Sequence, residues 1–240
     1  MWWNEIMKRK ILIIAIIVVV ISVAIVVFTK MKFNHVNTLN FYKNGTYGFL
    51  SSENDVINDY DGMTYESMYN LKDFFVDDKV ETLEQLENLS DYILIINTTQ
   101  NPTFKGNGVI NNCNVKKVIK GVDVKENQNI KIYDLVAFWE SYGIFYLGGS
   151  TPLQKNVDYI VFLKKTANAN TSNSYVFSTV KYGHVSISKE GNILENYEQN
   201  SLKLDEISKY DFIFSNKSSS EDISKYKSFY SEIFNKYREI

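Results

Sequence analysis

Residues 82–96, TLEQLENLSDYILII, place a short helix directly before a buried strand, and this combination decides the fold class. Thr82 is a helix N-cap residue, and the leucines after it recur every three residues among polar neighbours, which predicts an amphipathic helix that ends near Ser90. The apolar run 92–96 is rich in β-branched residues, which predicts a strand that is buried on both faces.

Further strands follow this one at short intervals. Residues 109–119 and 129–136 are separated by the turn signal Lys120-Gly121 and predict a hairpin, and residues 158–163 form another continuous apolar strand. Residues 174–180 with 183–188 resemble a second hairpin. Many short strands with few helices between them favour a small barrel or sandwich over a parallel α/β sheet. We therefore predict a mainly antiparallel β-barrel with flanking helices in an α+β domain.

Beyond Gly191 the pattern becomes helical. Apolar residues spaced three or four apart form an aromatic stripe: Ile223, Tyr226, Phe229, Tyr230, Ile233 and Tyr237. Charged residues occupy the other side: Lys225, Lys227, Glu232 and Lys236. This stripe predicts a C-terminal helix docked on the barrel. A helix that binds a partner protein is the functional alternative.

Residues 11–28, ILIIAIIVVVISVAIVVF, carry no charge and have Ser22 as their one polar side chain. As a helix this run spans about 27 Å, close to the hydrocarbon thickness of about 30 Å. A core helix would show polar positions on one side, a cleaved signal peptide would end in small residues, and a lipoprotein would carry a cysteine directly after the run. The sequence has none of these features and predicts an uncleaved signal-anchor that contacts the lipid bilayer.

Basic residues flank both ends of this segment. Lys8, Arg9 and Lys10 precede it, and Lys30 and Lys32 follow it. With the α-amino group included, the positive-inside rule predicts a single-pass protein with residues 1–10 in the cytoplasm and the C-terminal domain extracellular.

The exposed part divides into three segments by composition. Residues 29–80 form an aromatic and acidic juxtamembrane region that we expect to pack on the domain, with a short helix near 65–75. Residues 81–190 form the predicted β-barrel domain, and residues 191–240 form the C-terminal helical segment.

Composition excludes several function classes. The formal charge of -2 provides no basic field for binding nucleic acid phosphates. Cys113 is the only cysteine, so it forms no intrachain disulfide, and its apolar setting predicts a small buried side chain. One cysteine and two histidines, His35 and His184, are too few for a zinc site and lie far apart.

Acidic residues do not complete a metal site either. Asp55, Asp59 and Asp61 precede Gly62, but a helix-loop-helix calcium site would also need an oxygen ligand at Ile57 and a glutamate at Met68. A solvated acidic loop is therefore predicted, and the same holds for the group Asp73, Asp77, Asp78 and Glu81. We expect no metal and no cofactor.

The candidate binding residues are aromatic. Trp139, Tyr142, Phe145 and Tyr146 cluster at a glycine-rich stretch, residues 143–149. A loop of this composition could stack on sugar rings or hold a peptide. The alternative is that it closes one end of the barrel.

Several motifs together resemble a known group of proteins. They are Ser90-Asp91 before the first strand, Val118-Ile119-Lys120-Gly121 at the hairpin turn, Thr151-Pro152-Leu153, the strand Tyr159-Ile160-Val161-Phe162-Leu163, and Tyr175 with Gly183. They are similar to the extracytoplasmic domain of uncharacterised membrane-anchored proteins and lipoproteins of low-GC Gram-positive bacteria. The resemblance covers residues 82–188 and implies an oligonucleotide-binding-fold-like (OB-like) barrel without implying an activity. The chain differs from that pattern at Asn97 and Thr98, where the family has a glycine, and near Asn127, where a second glycine is missing.

Three functions fit these features. The first is a membrane-tethered binding module that recognises a protein, a peptide or another envelope component such as a glycan. The second is an envelope enzyme that uses Asp134 and Glu140 for acid–base chemistry, which requires both carboxyls in one cleft. The third is an inhibitor or immunity protein. No catalytic serine motif or phosphate-binding loop favours the enzyme.

Overall fold

The computed structural model describes residues 47–50, 80–105, 108–134, 136–139, 143–147, 149–166, 173–188, 191–198, 204–207, 209–216 and 218–240. The chain divides into two units, Met1–Thr38 and Leu39–Ile240, and every described residue belongs to the second. The predicted membrane segment 11–28, the predicted helix near 65–75 and the acidic cluster 55–62 lie outside the described residues. Among the helices that are described, none is both long enough and apolar enough to cross a bilayer.

The described elements are mostly strands. In chain order they are β1 (Tyr47–Leu50), α1 (Leu83–Leu89), β2 (Tyr92–Thr98), β3 (Thr103–Lys105), β4 (Gly108–Lys120), β5 (Asn129–Tyr133), β6 (Val136–Trp139), β7 (Gly143–Leu147), β8 (Asp158–Lys165), β9 (Ser174–Phe177), β10 (His184–Ser186), β11 (Ile193–Tyr197), α2 (Leu204–Ile207), β12 (Phe212–Ser215) and α3 (Ser220–Tyr237).

Five of these strands close into a barrel in the order β8-β2-β4-β5-β9, with β9 pairing back onto β8. Four of the five pairings are antiparallel, and β5 with β9 is the parallel one. The predicted β-barrel is confirmed, and so is the hairpin of β4 and β5. Closure leaves no unpaired long side among these five strands, which is one way that β proteins avoid edge-to-edge association.

The barrel interior is filled by alternate residues of each strand, because successive side chains of a strand point to opposite faces. Its members include Leu94, Ile96, Cys113, Val115, Ile130, Ile132, Tyr159, Val161, Tyr175 and Phe177, all buried. Burial of apolar surface contributes about 25 cal/mol per Å², so this cluster is a major source of stability.

The outer face of β2 and β8 is buried as well. Ile93, Ile95, Ile160 and Phe162 pack against a second cluster that α1, β12 and α3 contribute. This arrangement explains why residues 92–96 are apolar at every position. The aromatic stripe of α3 belongs to this second core, with Tyr226, Phe229, Tyr230, Ile233 and Tyr237 all buried. The intramolecular interpretation of the C-terminal helix is therefore confirmed.

The helix that precedes β2 has the predicted N-cap. The Thr82 side chain accepts a hydrogen bond from the backbone N–H of Gln85, and the Gln85 side chain in turn accepts from the Thr82 N–H. At the other end, the Lys120 Nζ donates to the backbone oxygens of Glu87 (2.8 Å) and Ser90 (2.6 Å). The lysine of the Lys-Gly turn motif thus satisfies carbonyls at the end of α1, which the helix cannot satisfy internally.

Gly121 follows Lys120 in the left-handed region, at φ 125°. A Cβ atom there would lie 2.4 Å from Cδ1 of Tyr92, so the turn requires glycine for two reasons. The motif residues that carry the family resemblance at this turn therefore have structural roles.

The predicted hairpin of residues 174–180 with 183–188 is wrong. Strands β9 and β10 both form, but each pairs with a different part of β8: β9 with Leu163–Lys165 and β10 with Tyr159–Val161. The chain between them leaves the sheet and returns, and both ends of this excursion bond to Phe162, which donates to the Gly183 oxygen and accepts from the Ser178 N–H. Strand β8 therefore replaces the expected hairpin partner.

Residues 191–240 are also less helical than predicted. Before α3 the chain forms β11, the short α2 and β12, and β11 pairs in parallel with β12. The 143–149 stretch, predicted as a loop, contains strand β7, which lies between β1 and β6 in a three-stranded sheet. In both places the strands pair with distant segments, so the local sequence pattern carries little signal for them.

Candidate functional site

The outer face of β4 and β5 is polar, whereas the outer face of β2 and β8 is covered by helices. In the antiparallel register Asn112 lies opposite Lys131, and Asn114 lies opposite Asn129. Directly opposed residues share a face, and their neighbours Cys113 and Ile130 belong to the barrel interior. The four polar residues therefore form one outward patch on the barrel wall.

A cleft of about 330 Å³ lies over this wall. It is lined by Thr99, Gln100, Asn112, Cys113, Asn129, Ile130, Lys131 and Asn173. Thr99 and Gln100 come from the connection between β2 and β3, and Asn173 directly precedes β9. The volume is at the lower end of the roughly 300–1,000 Å³ that is typical of small-molecule sites. We call this site the polar cleft.

Hydrogen bonds fix one end of the polar cleft. The Gln128 Nε2 donates to the Asn173 Oδ1 at 2.8 Å, and the Lys131 N–H donates to the Asn173 oxygen at 2.9 Å. Asn114 Nδ2 donates to the Asn127 oxygen at 3.2 Å and to the Asn129 Oδ1 at 3.4 Å. These bonds hold the β4–β5 turn, β5 and the start of β9 together before any ligand arrives, which lowers the entropic cost of binding.

Two of the asparagines adopt positive φ angles. Asn127 has a φ of 63° in the β4–β5 turn, and Asn173 has a φ of 65° at the cleft. Asparagine is one of the few residues other than glycine that adopts this conformation at low cost. Asn127 therefore allows a left-handed turn between β4 and β5 without a glycine.

Several polar atoms of the cleft have no intramolecular partner in the described part of the chain. They are Oδ1 of Asn112, Nδ2 of Asn129 and Nδ2 of Asn173. Asn112 donates to the Thr103 Oγ1 at 3.5 Å through its Nδ2, whereas Asn129 and Asn173 accept the bonds given above through their Oδ1. The side chains of Thr99 and Gln100 are exposed as well. The cleft thus offers side-chain amides and a hydroxyl to a ligand, and both groups can exchange hydrogen bonds with hydroxyl-bearing molecules.

Among the described residues that line the polar cleft, Lys131 is the one charged residue, and none carries a carboxylate. The nearby Lys116 is paired with Asp158 at 2.8 Å, and Asp158 also accepts from Asn97 at 2.6 Å. These charges neutralise one another on the adjacent surface. The cleft itself is polar with a single positive charge.

No model of a known protein family matches the chain, and no curated protein is significantly similar to it.

The aromatic residues predicted to bind a ligand do not belong to β4 or β5, the strands under the polar cleft. Trp139 ends β6 opposite Gly143, and Phe145 and Tyr146 lie in β7 opposite Ala137 and Val136. Tyr142 lies outside the described residues. The structure therefore places three of the four in one hairpin, and the prediction that they recognise a ligand stays a prediction.

Asp134, one of the two carboxyls considered for acid–base chemistry, is buried. Its Oδ2 accepts from the Asn111 Nδ2 at 3.2 Å, and its N–H donates to the Val109 oxygen at 2.9 Å. It does not line the polar cleft, and Glu140 lies outside the described residues. In the part of the chain that the structure describes, no group of three histidine, cysteine or acidic side chains could hold a metal ion.

Cys113 and His184 are both buried. Burial, and next the negative charge of Asp134, raise the pKa of the Cys113 thiol, so it stays protonated at neutral pH. The prediction of a small buried cysteine is confirmed. His184 lies against the rings of Tyr159 and Phe177, with centroids 5.7 and 5.1 Å away, and burial lowers its pKa to about 4. It is neutral at pH 7 and does not line the polar cleft.

Sequence reasoning missed the polar residues of the cleft. The signal that could have revealed them is the alternation Asn112-x-Asn114 facing Asn129-x-Lys131 across a predicted hairpin, because an uncovered barrel wall must be polar. Asparagine is so frequent throughout this chain that these four positions do not stand out by composition.

Proposed function

We propose that this protein is a membrane-tethered, extracytoplasmic binding module that holds a hydroxyl-rich envelope glycan in the polar cleft. The observation that carries the proposal is a preformed cleft of about 330 Å³, lined by side-chain amides and a hydroxyl on the wall of a closed barrel. The uncharged run 11–28 supports the tether, and the missing catalytic motifs support binding without catalysis.

The barrel topology favours this position for the ligand. We propose that the barrel is OB-like and that the chain belongs to the membrane-anchored family that its motifs resemble. If β2, β4, β5, β8 and β9 are numbered as barrel strands one to five, strand one pairs with strands two and four, and strand three is parallel to strand five. OB-fold proteins bind oligonucleotides and oligosaccharides on strands two and three and on the loops before strands two and five. The polar cleft occupies the corresponding surface.

The cleft chemistry favours a glycan over a peptide strand. A peptide that adds to a sheet needs unpaired backbone groups at an edge. At the cleft β4 pairs with both β2 and β5, and β5 pairs with both β4 and β9, so recognition depends on side chains. Amides that donate and accept suit the hydroxyl and acetamido groups of sugars.

The same chemistry disfavours single-stranded nucleic acid. Such ligands are usually bound by several cationic groups together with aromatic side chains on which bases stack. The lining residues that the structure describes include one lysine and no aromatic residue.

The experiment is calorimetric titration of the full-length chain in detergent micelles with soluble oligosaccharides of envelope type and with peptides. We expect oligosaccharides to bind and the variants Asn112→Ala and Asn129→Ala to weaken binding about fivefold each, because one hydrogen bond contributes about 1 kcal/mol. Asn88→Ala is the matched control, since Asn88 is exposed on α1. Binding of peptides alone, or equal affinities for all variants, would contradict the proposal.

A further inference from the structure

We propose that the polar cleft selects glycans that carry a negatively charged oxygen group, and that Lys131 is the residue that determines this specificity. The inference rests on the proposed function and deepens it, because it names the ligand class. The shared ligand chemistry is a hydroxylated chain with an oxyanion, either a uronic acid carboxylate or a phosphodiester.

The polar cleft offers more hydrogen-bond donors than acceptors. Thr99 and Gln100 each offer both donors and acceptors. The other side-chain groups of the cleft without an intramolecular partner in the described chain include donors on Lys131, Asn129 and Asn173 and one acceptor on Asn112, so donors outnumber acceptors. A neutral sugar hydroxyl brings a hydrogen-bond donor of its own. In a site that consists mostly of donors, few acceptors are present to bind it. An oxyanion accepts several hydrogen bonds and donates none, which matches this set.

Lys131 has no carboxylate partner among the described residues. Lys116, Lys165, Lys227 and Lys236 are paired with Asp158, Asp123, Glu195 and Glu87. Lys131 forms no ion pair within the described residues and remains exposed. Its ammonium group is therefore available to an incoming anion without breaking an existing bond.

The carboxylates of Asp158 and Asp134 are both engaged outside the polar cleft. Asp158 is held by Lys116 and Asn97, and Asp134 is buried against Asn111. Neither carboxylate is among the lining residues. An anionic ligand therefore meets no like charge among the described lining residues, and a like charge would reduce its affinity.

Hydrogen bonding and strand pairing fix the backbone of Lys131. Its N–H donates to Asn173 at 2.9 Å, and Lys131 lies opposite Asn112 in the β4–β5 ladder. The base of the side chain thus sits at a defined point of the barrel wall, beside the free amides. A charged group held among fixed donors gives specificity as well as affinity.

The test compares three probes of similar length on the full-length chain in detergent micelles at low salt: a neutral oligogalactoside, an oligogalacturonate and a glycerol phosphate oligomer. We expect at least one anionic probe to bind about tenfold or more tightly than the neutral probe, since a hydrogen bond to a charged group is stronger than a neutral one. The two anionic probes distinguish a carboxylate ligand from a phosphodiester ligand.

Lys131→Gln should reduce the affinity for the anionic probe to that for the neutral probe, and should leave the neutral probe unaffected. Asn129→Asp replaces a donor with a negative charge. This variant should lower the affinity for the anionic probe more than Asn129→Ala does. Lys225→Gln is the control, because Lys225 is an exposed lysine on α3. Thermal unfolding of each variant verifies that it is folded.

The outcomes separate the two proposals. If the neutral probe binds as tightly as both anionic probes and Lys131→Gln has no effect, the selectivity is refuted while glycan binding stands. If none of the three probes binds to the folded protein, the proposed glycan function fails and the inference fails with it. Tight anion binding that Lys131→Gln does not change would locate the anion site elsewhere and also overturn the inference.

Discussion

His184 is a buried histidine without a hydrogen-bond partner for its Nε2 in the described part of the chain. It packs between Tyr159 and Phe177, and burial lowers its pKa to about 4. In the unfolded chain its pKa is near 6.5. Between these two values the unfolded chain binds more protons than the folded protein, so the free energy of unfolding falls as the pH falls.

The His184→Phe variant tests this effect. We expect the wild-type protein to lose up to roughly 3 kcal/mol of stability from this residue between pH 6.5 and pH 4, since each pKa unit corresponds to about 1.4 kcal/mol. The variant lacks that contribution, so the difference in urea midpoint between the two proteins should change with pH over this window. A constant difference at every pH would show that the pKa of His184 is the same in the folded and the unfolded protein, and would contradict its lowering by burial.

At the residue scale, the sequence predicted burial better than it predicted the binding surface. The apolar setting of Cys113 indicated an interior position, and the residue is buried in the barrel. By contrast, Asn129 and Asn173 resemble many other asparagines of the chain until the barrel brings them together. A positive φ angle such as that of Asn173 is also a property of the folded backbone that no single residue type identifies.

At the scale of elements, α3 contributes the largest aromatic face to the second core, which covers the outer face of β2 and β8. Ile233 is fully buried there, whereas its neighbour Glu232 is exposed. Tyr226 of the same helix stacks on Phe212 of β12 with ring centroids 4.2 Å apart. The helix therefore joins the two-stranded β11–β12 sheet to the barrel.

We expect Ile233→Ala to lower the free energy of unfolding by about 2–4 kcal/mol, because it removes buried methyl groups and leaves a cavity. Chemical denaturation measures the change. Glu232→Ala is the matched control and should stay within about 0.5 kcal/mol of the wild-type value. A similar small effect of Ile233→Ala would contradict the docking of α3 on the barrel.

Elements whose apolar residues recur at regular spacing within one segment were predictable. Elements that form by pairing with strands distant in sequence were not. The capping residues and leucine spacing of α1, like the stripe of α3, lie within one short segment. Strand β11 has mostly half-exposed residues, and its partner β12 is separated from it by α2. Likewise, nothing local indicates that β9 and β10 share β8.

At the scale of the whole molecule, the proposed topology separates a cytoplasmic N-terminus from the domain outside. We expect a reporter that is active only outside the cytoplasm to work when it is fused after Ile240, because the basic residues before segment 11–28 favour retention inside. A second fusion with a reporter that is active only in the cytoplasm is the control and should be silent. The reverse pattern would invert the topology.

Barrel closure also determines the order in which the domain completes itself during synthesis. Strand β2 lacks one neighbour until β8 has been made, and β5 lacks one until β9, which ends at Phe177, has been made. The apolar outer face of β2 is completely covered only after α3 has been added. A stalled or truncated chain would thus expose sheet edges and apolar surface at the same time, which promotes aggregation. We therefore expect the growing chain to depend on chaperones until its last helix docks.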